Sequence, residues 1–474
     1  MSSPDLDAVE QALGALTINT SDSTAIATLA QASKEHPAVR TRLASPEAIK
    51  SLVETIESSL TISPSTVQAA LRCLGNACID NNDARGVITG LGFTSISQCL
   101  ATGNDQTQLL ATKVLYNICN DYEPAQQQVY KEKLDAELVR YCSSKFALEE
   151  SEHNACAIDV LFWATGHKAT VEPTLGEPLP ADLLVRILLL PQLYGKDPQL
   201  YGKDPKGLDV EKFGSVANVT LVFLQDTTVQ KQLIEGKKVN GIWNILEIAD
   251  AKASMLKKSE REEDKEDLKA LQPLSNSLVW CLSDVAANEE FTKFYPLDGS
   301  DMKFFLDYIM AVMTAEGGVA MVGDELVKMN MTSTLVTAAC QVIGNALWAL
   351  PLESYEYLVT EENLHDFVFA IVWNRDLFSV DKDLLHSAAG LLTQLTRPSV
   401  TARERIGKHP ASMQVLERLC RHDMPEIKQD GLKLLKALGK ECPTIQEKFK
   451  DLAVEVMKSL QEGRDTETAE AAPS

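Results

Sequence analysis

The feature that most constrains this 474-residue chain is a block of sequence that it uses twice. "AALRCLGNACIDNNDARGVI" and "ATKVLYNICNDYEPAQQQVY" superpose with Asn76 on Asn117 (117 − 76 = 41) and Asp80 on Asp121 (121 − 80 = 41). In both, Leu and small residues at helical spacing lead to a polar turn of Asn, Asp, Gly or Pro, and a second helical start follows. A unit this short cannot bury its apolar face alone, so it needs a copy of itself on either side.

Looser copies extend the series. They are centred near Gln31, Trp163, Val222, Ser283 with Asp284, Asn345, Gln394 and Ala437, which makes about nine units. Several gaps fall between 41 and 49 residues, within the range of armadillo and HEAT repeats. No run combines β-branched alternation with hairpin turn pairs. The fold class expected is all-α: an armadillo/HEAT-like α-solenoid superhelix of about nine helical repeats with loop insertions.

The solenoid is expected over residues 1–461 as one domain. Insertion loops are expected at about 171–212, which holds the tandem "LYGKDPQ" and "LYGKDPK", at about 250–270, a mixed charge run, and at about 314–330. Residues 462–474 read as a disordered acidic tail.

Charge narrows the function classes. Lys and Arg number 45 against 67 Asp and Glu, a net charge of −22, so the basic footprint of a nucleic-acid binder is missing. Between Ser51 and Thr112 the only basic residues are Arg72 and Arg85. So acidic a surface attracts basic partners. The ten cysteines form no C-x-x-C pair and lie mostly in apolar helical text, which fits a reducing compartment. The N-terminal text lacks a signal-peptide pattern, and the longest apolar run is too short to span a bilayer. The expectation is a cytoplasmic, monomeric protein with no direct membrane insertion and no nucleic-acid partner.

No P-loop, nucleophile elbow or H-E-x-x-H pattern is present, and the seven histidines form no close metal pair. The chain is therefore not expected to be an enzyme, and no cofactor or metal is expected. Candidate partner-binding residues are Asn76, Asp80, Asn117, Asp121, Asp284, Asn288 and Asn345. Asn76 and Asp80 are i and i+4, so on a continuous helix they would share a face. Two readings of the Asn stay open: a ladder that hydrogen-bonds a partner's backbone, or structural bonds that tie the loops of each repeat together. Asp80 and Asp121 either serve a partner or end helices.

"ALRCLGNACIDNNDARGVI" resembles the "LGN-x-C-x-D" repeat of the SmgGDS-type guanine-nucleotide dissociation stimulators, which are armadillo proteins. "FLQDTTVQKQLIEGKKVNGIWNIL", "ERIGKHPASMQVLERLC" and "LLKALGKECPTIQEKFKDLA" are similar to later segments of that family. The resemblance implies a guanine-nucleotide exchange factor and chaperone that binds small GTPases of the Rho, Rap and Ras type, with basic, prenylatable C-terminal tails, through an acidic concave groove. It carries over Asn76, Asp80 and Asn117 as concave-face positions. The alternatives are a non-catalytic armadillo scaffold, or an import-type adaptor for basic peptides, of which only Trp280 with Asp284 approaches the expected spacing.

Overall fold

The computed structural model describes residues 6–18, 22–145, 151–167, 179–195, 208–310, 319–322, 325–328, 332–373 and 381–470. Two compact units divide the chain, Met1–Val229 and Gln230–Ser474, where the repeat pattern alone suggests one domain. Each is a stack of helices.

The first unit begins with α1 (Leu6–Ile18) and α2 (Ser23–Glu35). Three helical triplets follow: α3 (Pro37–Leu43), α4 (Pro46–Ser59) and α5 (Pro64–Ala77); α6 (Asn82–Leu91), α7 (Thr94–Thr102) and α8 (Asp105–Cys119); α9 (Glu123–Lys131), α10 (Leu134–Lys145) and α11 (Ser151–Gly166). A pair, α12 (Ala181–Gly195) and α13 (Val210–Leu224), ends the unit, and the division falls within α14 (Thr227–Glu235). In the second unit come α15 (Asn240–Leu256) and α16 (Glu262–Ala286), then α17 (Phe291–Phe294), α18 (Ser300–Met310) and α19 (Ser333–Ala349). Next are α20 (Tyr357–Thr360), α21 (Leu364–Trp373) and α22 (Lys382–Leu395), then α23 (Val400–Lys408), α24 (Ser412–Cys420) and α25 (Pro425–Gly439), and last α26 (Pro443–Glu470).

The final helix of each group packs on the final helix of the next: α2 on α5, α8, α11 and α13 in the first unit, and α16 on α19, α22 and α25 in the second. All nine repeat centres found in the sequence fall on or within a residue of these nine inner helices. The stacking makes each unit an all-α solenoid.

Local chemistry starts and stops these helices. Pro64 opens α5, where a missing N–H costs nothing. Asn81 Oδ1 accepts from Ala84 N (3.1 Å) at α6, and Asn104 Oδ1 from Thr107 N (2.9 Å) at α8. In α5, Val67, Ala70, Leu71 and Leu74 recur at i, i+3, i+4 and i+7 and are buried. Removing a leucine side chain of this kind from water contributes about 2 kcal/mol. Nine of the ten cysteines are buried in the same way, all as free thiols.

The corner after several of the inner helices recurs as a device. Asp80, Asp121 and Glu441 adopt left-handed backbone, with φ of 52°, 53° and 56°. Asp121 and Glu441 lie two residues beyond the end of their inner helices and Asp80 three, and each redirects the chain. A long side chain from the next helix then reaches back seven residues to a carbonyl at that end. Arg40 Nε donates to Ser33 O (2.9 Å), Arg85 Nε to Cys78 O (3.0 Å), Gln126 Nε2 to Cys119 O (2.7 Å), Arg403 Nη1 to Thr396 O (3.4 Å) and Gln446 Nε2 to Gly439 O (2.6 Å). These side chains satisfy carbonyls that a helix C-terminus leaves without partners.

Four expectations are corrected. The insertion at about 171–212 contains α12 and the start of α13 among its described residues; the tandem sequence lies outside them except for Leu193–Gly195, the end of α12. The charge run at about 250–270 is helical except around Lys257–Arg261, because it supplies the end of α15 and the solvated first turns of the 25-residue α16. At about 314–330 two strands, Val319–Val322 and Glu325–Lys328, pair antiparallel with Val322 opposite Glu325, a hairpin too short to carry periodicity. The expected tail at 462–474 is helical as far as Glu470, as a continuation of α26.

Candidate partner-binding site

Four of the expected residues lie in the first unit. Asn76 Nδ2 donates to Ser33 Oγ of the preceding inner helix (3.0 Å), and Asn117 Nδ2 to Gly75 O of its own preceding inner helix (3.1 Å). These amides tie successive repeats together, where the structural alternative envisaged bonds within one repeat. Gly75 O is a C-terminal carbonyl of α5: the N–H of Ile79, which would ordinarily reach it, donates to Asn76 O instead (3.3 Å). Asn117 thus caps a helix belonging to the repeat before its own.

Asp80 and Asp121 are exposed, but α5 ends at Ala77 and α8 at Cys119. Their left-handed backbone takes them off the helical face that i, i+4 spacing implies. The two exposed carboxylates instead sit at the corners just past the C-terminal ends of α5 and α8. The residues four before each Asn, not among the expected site residues, are Arg72 and Lys113. Arg72 is exposed, Lys113 is half-buried, and neither forms an ion pair or hydrogen bond among the described residues. On the next inner helix Trp163 packs on Tyr116 with ring centroids 5.4 Å apart.

The other three lie in the second unit. Asn345 Nδ2 donates to Ser283 O (2.9 Å) and Ser283 Oγ (2.8 Å), the same inter-repeat tie as Asn117 to Gly75. Asp284 is exposed on α16, four residues after Trp280. Asn288 lies beyond α16, where its Oδ1 accepts from Glu290 N (3.0 Å) to shape a local turn; it is a loop-forming residue.

Asn345 and Ser283 line a groove of about 950 Å³ walled by α16, α19 and α22. Trp280, 68% exposed, stands on one wall, with Gln341, His386 and Ser387 farther across. Gln341 Nε2 donates to Ser387 Oγ (3.0 Å), and His386 Nδ1 donates to the buried Asp430 (2.5 Å), which Lys433 also approaches (3.2 Å). Two groove residues are glycines, Gly344 and Gly390, and a Cβ on either would meet nothing within 4 Å. A backbone can therefore come close to these helices. Asp381 and Asp383 supply carboxylates at the start of α22.

The groove is lined by amides, hydroxyls, carboxylates, a histidine and an exposed indole. Its one cysteine, Cys340, is buried, which pushes the thiol up to about 12 and leaves it inert as a nucleophile. Nearby, Trp348 is 65% exposed, and the Arg397 guanidinium lies over its ring at 4.4 Å. Among the described residues no group of three or more His, Cys, Asp or Glu could hold a metal ion, and no helix is long and apolar enough to cross a membrane. Trp280 carried a sequence signal through its spacing to Asp284. The His386–Asp430 pair, 44 residues apart, carried none.

No family model matches the chain, and no curated protein matches it either. Solved structures align with it at low identity. An engineered protein aligns at 15% identity over 91% of this chain and 98% of that one, with a TM-score of 0.39. A chain from work on a phosphorylation switch controlling the interaction between cadherin and beta-catenin aligns at 12% over 92% of each, with a TM-score of 0.34. A computationally designed armadillo repeat protein for modular peptide recognition aligns at 11% over 63% of this chain and 99% of that one, with a TM-score of 0.34.

Proposed function

We propose that the chain is a helical-repeat scaffold that binds a partner protein by laying an extended segment of it in the groove of α16, α19 and α22. The observation that carries this reading is the groove itself: an exposed Trp280 beside Asp284, an amide on Asn345 and two glycines that leave room for a second backbone. An aromatic face next to a carboxylate favours a lysine or arginine of the partner, whose stem stacks while its charge pairs.

The finer reading makes the partner a small GTPase with a basic, prenylatable tail, whose GDP release the chain promotes. Its support is the "LGNACID" resemblance and the net charge of −22. Such a factor acts by distorting its partner's nucleotide site and needs no catalytic residue of its own.

Two measurements separate the levels. A fluorescent lysine-rich peptide should bind the full chain, weaken with salt, and lose about tenfold or more in affinity with Trp280→Ala plus Asp284→Lys, since ~1.4 kcal/mol is tenfold. Unchanged binding would refute the groove. Release of a fluorescent GDP analogue from a panel of Rho-, Rap- and Ras-type GTPases should accelerate on adding the chain. Peptide binding without acceleration would keep the scaffold and remove the exchange activity.

A further inference from the structure

The first unit repeats not two polar residues but three. Arg72, Asn76 and Asp80 recur as Lys113, Asn117 and Asp121: cation, amide, carboxylate, each four residues after the last. Over residues 51–112 Arg72 and Arg85 are the only basic residues, and Arg85 is buried, donating to Cys78 O (3.0 Å) and Asn82 Oδ1 (3.0 Å). Arg72 is thus the one cation of that stretch open to solvent. It stands on the inner helix, where no acid among the described residues pairs with it, and Lys113 repeats it one helix on.

Because α5 packs on α8, the three types line up as rows running from one repeat to the next, the cations and amides on the helices and the carboxylates at the corners just past their ends. A row of cations and a row of carboxylates flank a row of amides whose Nδ2 atoms are already engaged with the preceding repeat. Asp159, half-buried on α11, reverses the sign at the third rung of the cation row; burial, and then Glu211, holds its carboxyl above the usual range. The cation row therefore has two complete rungs.

We infer that this face binds an extended segment of a partner protein that carries Asp or Glu on one edge and Lys or Arg on the other. An extended chain sends successive side chains to opposite sides at about 3.3 Å per residue. Alternating charges therefore sort into an acidic edge facing Arg72 and Lys113 and a basic edge facing Asp80 and Asp121. Packed helices lie about 8–10 Å apart, against about 7 Å for two residues of strand, and the long arms of Glu, Lys and Arg take up the difference. Between the rows, the Asn Oδ1 atoms are placed to accept backbone N–H groups. A polyanion such as nucleic acid fits poorly, because its phosphates would meet the Asp row as well as the cations. The face belongs to the first unit and does not depend on the groove of the second.

The test is fluorescence anisotropy of the full chain with two labelled peptides of equal composition, one alternating Glu and Lys over eight residues and one with the same residues in two blocks. The alternating peptide is expected to bind at least fivefold more tightly. Equal binding would overturn the three-row geometry. Arg72→Glu with Lys113→Glu should weaken the alternating peptide at least tenfold and strengthen an all-lysine peptide, a gain that misfolding cannot produce. If the double variant binds both as the parent does, the face is not the site. Tighter binding of a single-stranded oligonucleotide than of the alternating peptide, or self-association that the double variant abolishes, would give the face a different occupant and likewise overturn the proposal.

Discussion

Replacing Asn117 by alanine leaves the Gly75 carbonyl without its donor. Gly75 is buried, and the donation of Ile79 N–H to Asn76 O means that the backbone does not compensate. An unmet buried acceptor costs about 1–3 kcal/mol. In a stack whose repeats touch only their neighbours, the loss falls on the interface of α5 with α8. Amide hydrogen exchange measured by mass spectrometry on the full chain should therefore accelerate in α5 and α8 by roughly 5- to 150-fold, while the second unit keeps its rates. Asn76→Ala should do less, about 1 kcal/mol, because its acceptor is the Ser33 hydroxyl, which also donates to Ala30 O (3.2 Å). Unchanged exchange in α5 and α8 of Asn117→Ala would refute the argument that this amide holds two repeats together.

Two further outcomes follow from packing and titration. His365 is 2% exposed, and burial lowers its pKa to about 4, although Asp366 Oδ1 lies 3.1 Å from Nε2; His409, which approaches the same oxygen at 3.5 Å, and Arg405 lower it further. Its folded pKa is below the unfolded value of ~6.5, so its contribution is complete above that pH and is lost as pH falls toward 4. Between pH 7.5 and 5 the loss should be about 2 kcal/mol in chemical denaturation, and His365→Gln should remove that part of the slope; an identical slope in the variant would show that the histidine titrates alike in the folded and unfolded states and refute the burial argument. Gly431 of α25 meets the backbone of Leu419 and Cys420 so closely that a Cβ would sit 2.8–2.9 Å away. Gly431→Ala should cost about 1–3 kcal/mol by forcing α24 and α25 apart, whereas Gly390→Ala, with open space at its Cβ, should leave the melting temperature unchanged or raise it slightly.

The repeat was legible because its signal is apolar and periodic: Leu71 and Leu74 recur as buried positions of the inner helices, and all nine repeat centres mark inner helices. What escaped has physical reasons. The start of α16, "EEDKEDLKAL", is charged because it is solvated, so it reads as linker although it is helix. Pro191 sits inside α12, where composition suggests a break. Asp80 looks like a helix residue until backbone conformation is known, since Asp adopts left-handed geometry with little sequence signature. Arg72 and Lys113 were hidden by the net charge: a chain with 22 excess acids draws attention away from two cations, which matter through their place in the stack. The partners of Arg85 and Gln126 show only after one notices that each cap reaches back seven residues.

The tie between Asn117 and Gly75 has a consequence for how such a surface meets another molecule. One end of the amide is spent on the fold, so its carbonyl is held still before anything arrives. A guest chain that settles against it need not freeze a host side chain, and the entropy lost on association comes mainly from the guest. The same atoms that fasten one helix to the next would thus keep the proposed docking face rigid, so that a sturdy stack and a ready surface would rest on a single residue.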